Sequence, residues 1–419
     1  MTALWAPLIP SGTLVSDDIV LKACQGHRLT LGNGRTVLDG DSGLWNVPLG
    51  YGVPSIASAI RDAALSRSYL GQFRFAGAAA SAAAEDLVAF TGPDHFCRVI
   101  FSTSGGAAND ACMKLARHYQ LLADPRGSRP LVIGLEGSYH GLMYGSMQLS
   151  GEELGQRFYC TDARTVRHVP ANDSARLVAA MQEYGDQVAA VFVEPVQGTG
   201  TLPLEDEFIR TLLELRARHG FLIVADEVAT GFGRTGSLFA SASWPELPDV
   251  LVLSKALTNG VCAASALVVS RAVTREFDRT SQMFMHAETQ AGTAVAAAAI
   301  QATLREFRQR YANPAPTGAI SHVDLQGALA GLVADLPWAT DATGRGMFWT
   351  VALVGEDGQV PSASRIMEVV ASVRAQGAVV HNAPGGVTLC PGLGYTQAEL
   401  DELIEAVRRG IVAVLGGAR

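Results

Sequence analysis

Phe221-Leu222-Ile223-Val224-Ala225-Asp226 and Val250-Leu251-Val252-Leu253-Ser254-Lys255 are two apolar runs that each end on a charge. Four or five consecutive apolar residues bounded by polar ones read as strands buried on both faces, the kind found in parallel sheets. A charge at the end of such a strand is destabilising unless it is paired, neutralised or used covalently. The lysine is conspicuous because the chain holds only two others, Lys22 and Lys114, and arginine supplies nearly all the remaining positive charge.

Outward from these runs, β-branched segments alternate with helical ones. The pattern predicts strands over 99–102, 131–135, 189–193, 221–225, 250–253 and 264–269, which argues an α/β layered fold with a largely parallel sheet. Helices are expected from Pro54 (Ile56, Ile60, Ala63, Ala64), over the Ala-rich 78–90 and over 291–311. The stretch 312–318, Ala-Asn-Pro-Ala-Pro-Thr-Gly, reads as the clearest linker. Beyond it, strands are expected over 346–354, 378–381 and 386–390, and an amphipathic helix over 396–415. The first 48 residues are strand- and turn-like, with Gly32-Asn33-Gly34 and Asp39-Gly40-Asp41 as turn signals.

Composition narrows the function classes. Nearly half the residues are apolar (48%) and 17% are charged, so a large core can form, with surface to spare for a second subunit. The net charge of −8 and the absence of a basic block argue against nucleic acid. No apolar run approaches the length of a membrane span. Six scattered cysteines without a Cys-x-x-Cys pair suit a reducing compartment and give no metal-ligand spacing. The start, Met1-Thr2-Ala3-Leu4-Trp5, lacks a secretion signal, so a cytoplasmic enzyme is expected.

Five segments carry chemistry. Ser102-Thr103-Ser104-Gly105-Gly106 ends a strand and opens a helix, and amides exposed there can hold a phosphate; a Gly-Gly turn alone is more often just a turn. Tyr139, in Gly137-Ser138-Tyr139-His140-Gly141, can stack on a flat ring or sit half-buried in a loop. Glu194, in Glu194-Pro195-Val196-Gln197-Gly198, either caps a loop or serves a site. Asp226 opens Asp226-Glu227-Val228-Ala229-Thr230-Gly231-Phe232-Gly233-Arg234-Thr235-Gly236, and its plain alternative is a buried ion pair with Arg234. Lys255 is either reactive or a lysine extending from a strand end. An acid and a lysine arriving on successive strands match the needs of pyridoxal 5'-phosphate (PLP), which takes a lysine Schiff base and an acidic partner for its ring nitrogen.

The order of these segments, begun by Asp41-Gly-Asp-Ser-Gly-Leu-Trp-Asn and Leu49-Gly-Tyr-Gly, resembles the class III aminotransferases, in particular the omega-aminotransferase branch. The resemblance runs from about residue 12 to 415. It implies a fold-type I PLP transferase: a large PLP-binding domain over 49–312 with a mostly parallel mixed sheet, and a small α+β domain built by both chain ends, 1–48 and 313–419. Carried over position by position, it implies that Lys255 binds the cofactor and moves the substrate proton, and that Asp226 keeps the ring nitrogen protonated. Tyr139 and Val228 would flank the ring, Gly105 and Gly106 would give amides to the phosphate, and Gln197 would lie near the ring hydroxyl with Glu194 behind it. Thr289, in His286-Ala287-Glu288-Thr289-Gln290, matches the family threonine that reaches the neighbouring subunit's phosphate, which implies a homodimer.

Several positions depart from the family pattern. Gly106 and Ala107 replace the usual Ser and Glu, Gln290 replaces an aromatic, and Thr293-Ala294 replaces His-Pro. The stretch from His381 to Leu393 lacks the arginine that clamps a substrate carboxylate in many members. Trp45, Phe73 and Tyr139 are expected as aromatic walls of the substrate pocket with Arg74 as its nearest cation, although Trp45 and Phe73 serve equally well as core aromatics. These departures, with the arginine-rich composition, resemble the daptide-type aminotransferases, which aminate a ketone at the carboxyl end of a processed peptide. The same lysine and acid also serve PLP-dependent aminomutases, racemases and decarboxylases. A PLP-fold binding protein without turnover is the remaining alternative.

Overall fold

The computed structural model describes residues 3–11, 16–311, 321 and 323–416. An N-terminal meander of β1 (Leu21–Gln25), β2 (Arg28–Leu31) and β3 (Thr36–Asp39) leads into the helices Pro54–Arg67 and Ala78–Thr91. Then follow β4 (Phe96–Ser102), β5 (Leu131–Leu135), β6 (Val166–Val169), β7 (Val188–Val193), β8 (Leu222–Asp226), β9 (Val250–Leu253) and β10 (Ser265–Ser270). These seven form one sheet in the order β4-β10-β9-β8-β7-β5-β6, parallel throughout except for β10, which runs against both its neighbours.

Every residue of β7, β8, β9 and β10 is buried, and the period of two sorts them between two cores. Val191, Val193, Ile223, Ala225, Leu251 and Leu253 pack with Leu87, Phe90, Ile300 and Phe307 of the flanking helices. Ala190, Phe192, Leu222, Val224, Val250 and Val252 pack on the other face with Ala108, Ala111, Cys112 and Leu115 of helix Gly105–Ala123. Each fully buried Val, Leu or Phe contributes about 1.5–3 kcal/mol over an exposed one. The same alternation carries Asp226, two residues beyond Val224, to the face of helix Gly105–Ala123.

After helix Ala294–Arg310 come β11 (Ala339–Arg345), β12 (Phe348–Leu353), β13 (Ala378–Val379), β14 (His381–Ala383) and β15 (Gly386–Leu389), then helix Gln397–Leu415. β13 joins the N-terminal sheet, with Ala378 opposite Leu38, so the two ends of the chain share one sheet. β11, β12, β15 and β14 make the third. The segment 378–381, expected as one strand, is therefore two strands in different sheets. The helix expected from 291 starts at Ala294, because Thr293 caps it by accepting the Ala296 N–H. The expected linker 312–318 lies outside the described residues. Among those described, no helix is long and apolar enough to cross a membrane.

Candidate active site

Asp226, 3% exposed, is the last residue of β8. Its Oδ2 accepts from Asn109 Nδ2 at 2.7 Å and lies 2.7 Å from His140 Nδ1, while Oδ1 accepts the Val228 N–H at 3.1 Å. Asn109 comes from the helix that faces β8, and its amide also donates to the His140 carbonyl at 2.9 Å. Burial disfavours charge on the His140 ring, but its hydrogen bond to Asp226 and that residue's negative charge outweigh burial and raise its pKa.

The pair of Asp226 with Arg234, the plain alternative, does not form. The Arg234 guanidinium, fully buried, instead donates to the Pro391 carbonyl at 2.8 Å and to Ser42 Oγ at 3.3 Å. It ties the β8–β9 connection to both ends of the chain.

Lys255 follows β9 with a left-handed backbone (φ 43°), a conformation that stores about 1–3 kcal/mol in a non-glycine residue. Its Nζ lies 4.1 Å from the centre of the Trp45 ring. Among the described residues nothing hydrogen-bonds or ion-pairs with the amine. Burial lowers its pKa from 10.5 to about 8, against the pull of Glu194 and Asp226.

Both residues line a cavity of about 300 Å³, together with Ser104, Gly105, Gly106, Tyr139, Val228 and Trp45. Ser104 caps helix Gly105–Ala123, its side chain accepting the Ala107 N–H. A Cβ on Gly105 would stand 3.2 Å from both methyls of Val228, and one on Gly106 would stand 3.3 Å from Ser146 Oγ. The missing side chains keep this helix N-terminus open to an anion. Glu194 grips the loops on the other side: its carboxylate accepts the N–H groups of Tyr139 (2.9 Å) and Gly198 (3.0 Å). Burial raises its pKa to about 7.

The remaining candidates sit outside this cavity. Gln197 is buried in the adjoining loop, with Nε2 donating to the Glu136 carbonyl at 2.8 Å. Thr289 is exposed on the segment before helix Ala294–Arg310. Phe73 lines a separate groove with Gln72, Phe101 and Glu288, and Arg74 is exposed beside it, so within one chain neither lines the cavity that holds Lys255 and Asp226. Nothing in the sequence spacing of Asn109 and His140 reveals that both converge on Asp226.

The family model for class-III aminotransferases matches residues 13–411. The chain is 28% identical to an omega-aminotransferase of Caulobacter vibrioides, over 98% of this chain and 97% of that one. It is 30% identical to the acetylornithine aminotransferase of Mycobacterium bovis, covering 93% and 90%. Among solved structures, an amine transaminase from an uncultivated Pseudomonas species, in its PLP-bound form, superposes with a TM-score of 0.89 over 99% of both chains, at 24% identity. Proteins of this family use PLP, and the residues present fit it. A half-buried lysine amine without an acceptor, a carboxylate fixed by three donors and a glycine-lined helix N-terminus share one cavity. The chain belongs to the class-III aminotransferases and is a PLP-dependent transaminase.

Proposed function

We propose that the chain transfers an amino group, by ping-pong chemistry, from an amine or amino-acid donor to a ketone or aldehyde that carries no carboxylate at the reacting carbon. When bound, PLP supplies an electron sink for the charge left on the substrate carbon. Lys255 holds the cofactor between turnovers and carries the substrate proton. Asp226, steadied by Asn109 and His140, holds a proton on the ring nitrogen. Tyr139 and Val228 would flank the ring, the Gly105 and Gly106 amides would take the phosphate, and Gln197, from the adjoining loop, would serve the ring hydroxyl. The large unit of this reading spans 49–312 and the small one 1–48 with 313–419. The two smaller sheets, built from strands on either side of 49–312, support that division.

The observation that carries the substrate reading is a second cavity of about 540 Å³, which shares Trp45 with the first. Its lining includes Glu152, Glu153, His381 and Asn382, and no lysine or arginine among the described residues. Burial raises the Glu152 pKa and lowers that of His381, to which the Lys255 charge adds. Such a wall offers no cation and no bidentate partner for a carboxylate. The resemblance to daptide-type enzymes extends the acceptor to a peptide with a C-terminal ketone, within natural-product biosynthesis. Six free cysteines support a reducing, cytoplasmic setting.

The test is the single half-reaction. Loss of the bound cofactor's visible absorbance is followed with primary amines and with α-amino acids separately. Amines lacking an α-carboxylate should react. Efficient conversion by glutamate, with none by such amines, contradicts this substrate reading.

Lys255 also sets a pH dependence. Only its neutral amine is nucleophilic, so cofactor uptake by the apoenzyme should rise about tenfold per pH unit below about 8 and level off above it. Stopped-flow absorbance reads this directly, and a rate flat from pH 6 to 9 contradicts the assignment.

In a homodimer, Thr289 gives a hydrogen bond to the cofactor phosphate of the neighbouring site. Thr289→Ala should weaken cofactor retention by about 1.5–3 kcal/mol, the worth of a charge-assisted hydrogen bond. An active, monodisperse monomer in sedimentation overturns the shared site.

A further inference from the structure

We propose that Glu288 is a positioning residue that clasps the Thr289 segment to the phosphate-binding turn of its own chain; the proposal rests on the shared-site reading of Thr289. The segment's backbone is held through its carbonyls. Lys114 Nζ donates to Met285 O at 2.9 Å, the Tyr69 hydroxyl to Thr289 O at 3.2 Å and Gln72 Nε2 to Gly292 O at 3.1 Å. These contacts fix where the segment runs, and the Thr289 side chain remains exposed.

Glu288 adds a connection of a different kind. Its carboxylate accepts from the Ser102 and Thr103 hydroxyls and from the Thr103 N–H at 3.1 Å, and His286 Nε2 stands 3.3 Å away. The hydrogen bonds of Ser102 and Thr103 lower the Glu288 pKa despite its partial burial, as does the nearby His286. Ser102 ends β4, and Ser104-Gly105-Gly106, which line the cofactor cavity, follow directly after Thr103. One carboxylate thus joins the turn that would hold the chain's own phosphate to the residue next to Thr289. Adjacent Cα atoms are about 3.8 Å apart, so restraining Glu288 leaves the Thr289 backbone little freedom. Loss of the clasp frees the hydroxyl to sample positions away from the neighbouring phosphate, and cofactor affinity falls by way of Thr289.

A double-mutant cycle tests this, with the cofactor dissociation constant of the apo-dimer as readout. Glu288→Ala and Thr289→Ala should each raise that constant about tenfold or more, the worth of one charge-assisted hydrogen bond. The double variant should be no weaker than the weaker single one, because residues acting through one contact are not additive. Glu288→Gln keeps the side chain's size and one acceptor oxygen, so it should fold and stay within about threefold of the parent. Additive losses in the cycle, or an unchanged constant in Glu288→Ala beside a weakened Thr289→Ala, overturn the clasp while leaving the shared site standing. An unchanged constant in Thr289→Ala overturns the shared site itself. Tighter cofactor binding by Glu288→Gln would show that the carboxylate acts by repelling the phosphate, and would also overturn the proposal.

Discussion

Lys255→Ala is expected to abolish multiple-turnover transamination and to remove the visible absorbance of the lysine-bound cofactor. The expected fall in kcat is at least about 10⁴-fold, which corresponds to about 5.5 kcal/mol of barrier. No other lysine can stand in. Lys22 bonds the Gly32 carbonyl and Lys114 the Met285 carbonyl, and neither lines the cavity. Alanine inherits the same left-handed backbone, and removal of an amine without a hydrogen-bonding partner leaves no polar group stranded. The variant should therefore fold, and its thermal unfolding should resemble that of the parent apoenzyme. Borohydride trapping gives an independent readout, since only a cofactor bound to lysine through a C=N bond is fixed to the chain by reduction. Sustained turnover in this variant would falsify the assignment.

The central sheet was legible where its strands, β5 and β7 to β10, are buried on both faces and read as unbroken apolar runs. Leu131–Leu135 and Val250–Leu253 have the expected limits, whereas β8 starts one residue later and includes Asp226 itself. Two strands escaped notice for one reason. Val166–Val169 holds Arg167 and His168, and Ala339–Arg345 is mostly polar and partly exposed. Both are edge strands, which need no apolar run to be stable.

In the site, the two charged residues at the ends of β8 and β9 were readable because burial makes each unfavourable unless it is used. Their partners were not. Asn109 reads as one more residue of an Ala-rich helix, and its contact with Asp226 depends on the register of that helix against the sheet. His140 stands beside the more conspicuous Tyr139. The plain alternative, a pair of Arg234 with Asp226, fails because the guanidinium donates to Ser42 Oγ and to carbonyls more than 150 residues away, contacts that its place in the motif does not show. Phe73 was grouped with Trp45 as an aromatic wall, but only Trp45 reaches Lys255 within the chain.

Asp226→Ala should retain measurable cofactor affinity through Lys255 and the helix N-terminus, yet lose about 10²–10³-fold in kcat, the scale of a lost preorganised electrostatic contact in a water-excluded site. An unprotonated pyridine is a poor electron sink, and Asp226 is the one carboxylate in the cavity that Asn109 and His140 both hold in place. Glu194 also lines the cavity, but two backbone N–H groups occupy its carboxylate and burial raises its pKa to about 7, so it makes a poor substitute. The alanine variant also leaves one Asn109 N–H and the His140 Nδ1 without their acceptor, each at about 1–3 kcal/mol when left unpaired, although the Asn109 amide keeps its bond to the His140 carbonyl. A stability loss alone could thus imitate a catalytic one. Asp226→Asn separates them, because its amide keeps the volume and an acceptor for Asn109 or His140 while removing the charge. It should melt closer to the parent than alanine does, and still lose most of the rate. Parent-like turnover in the asparagine variant, measured with saturating cofactor, would show that some other group holds the ring nitrogen protonated.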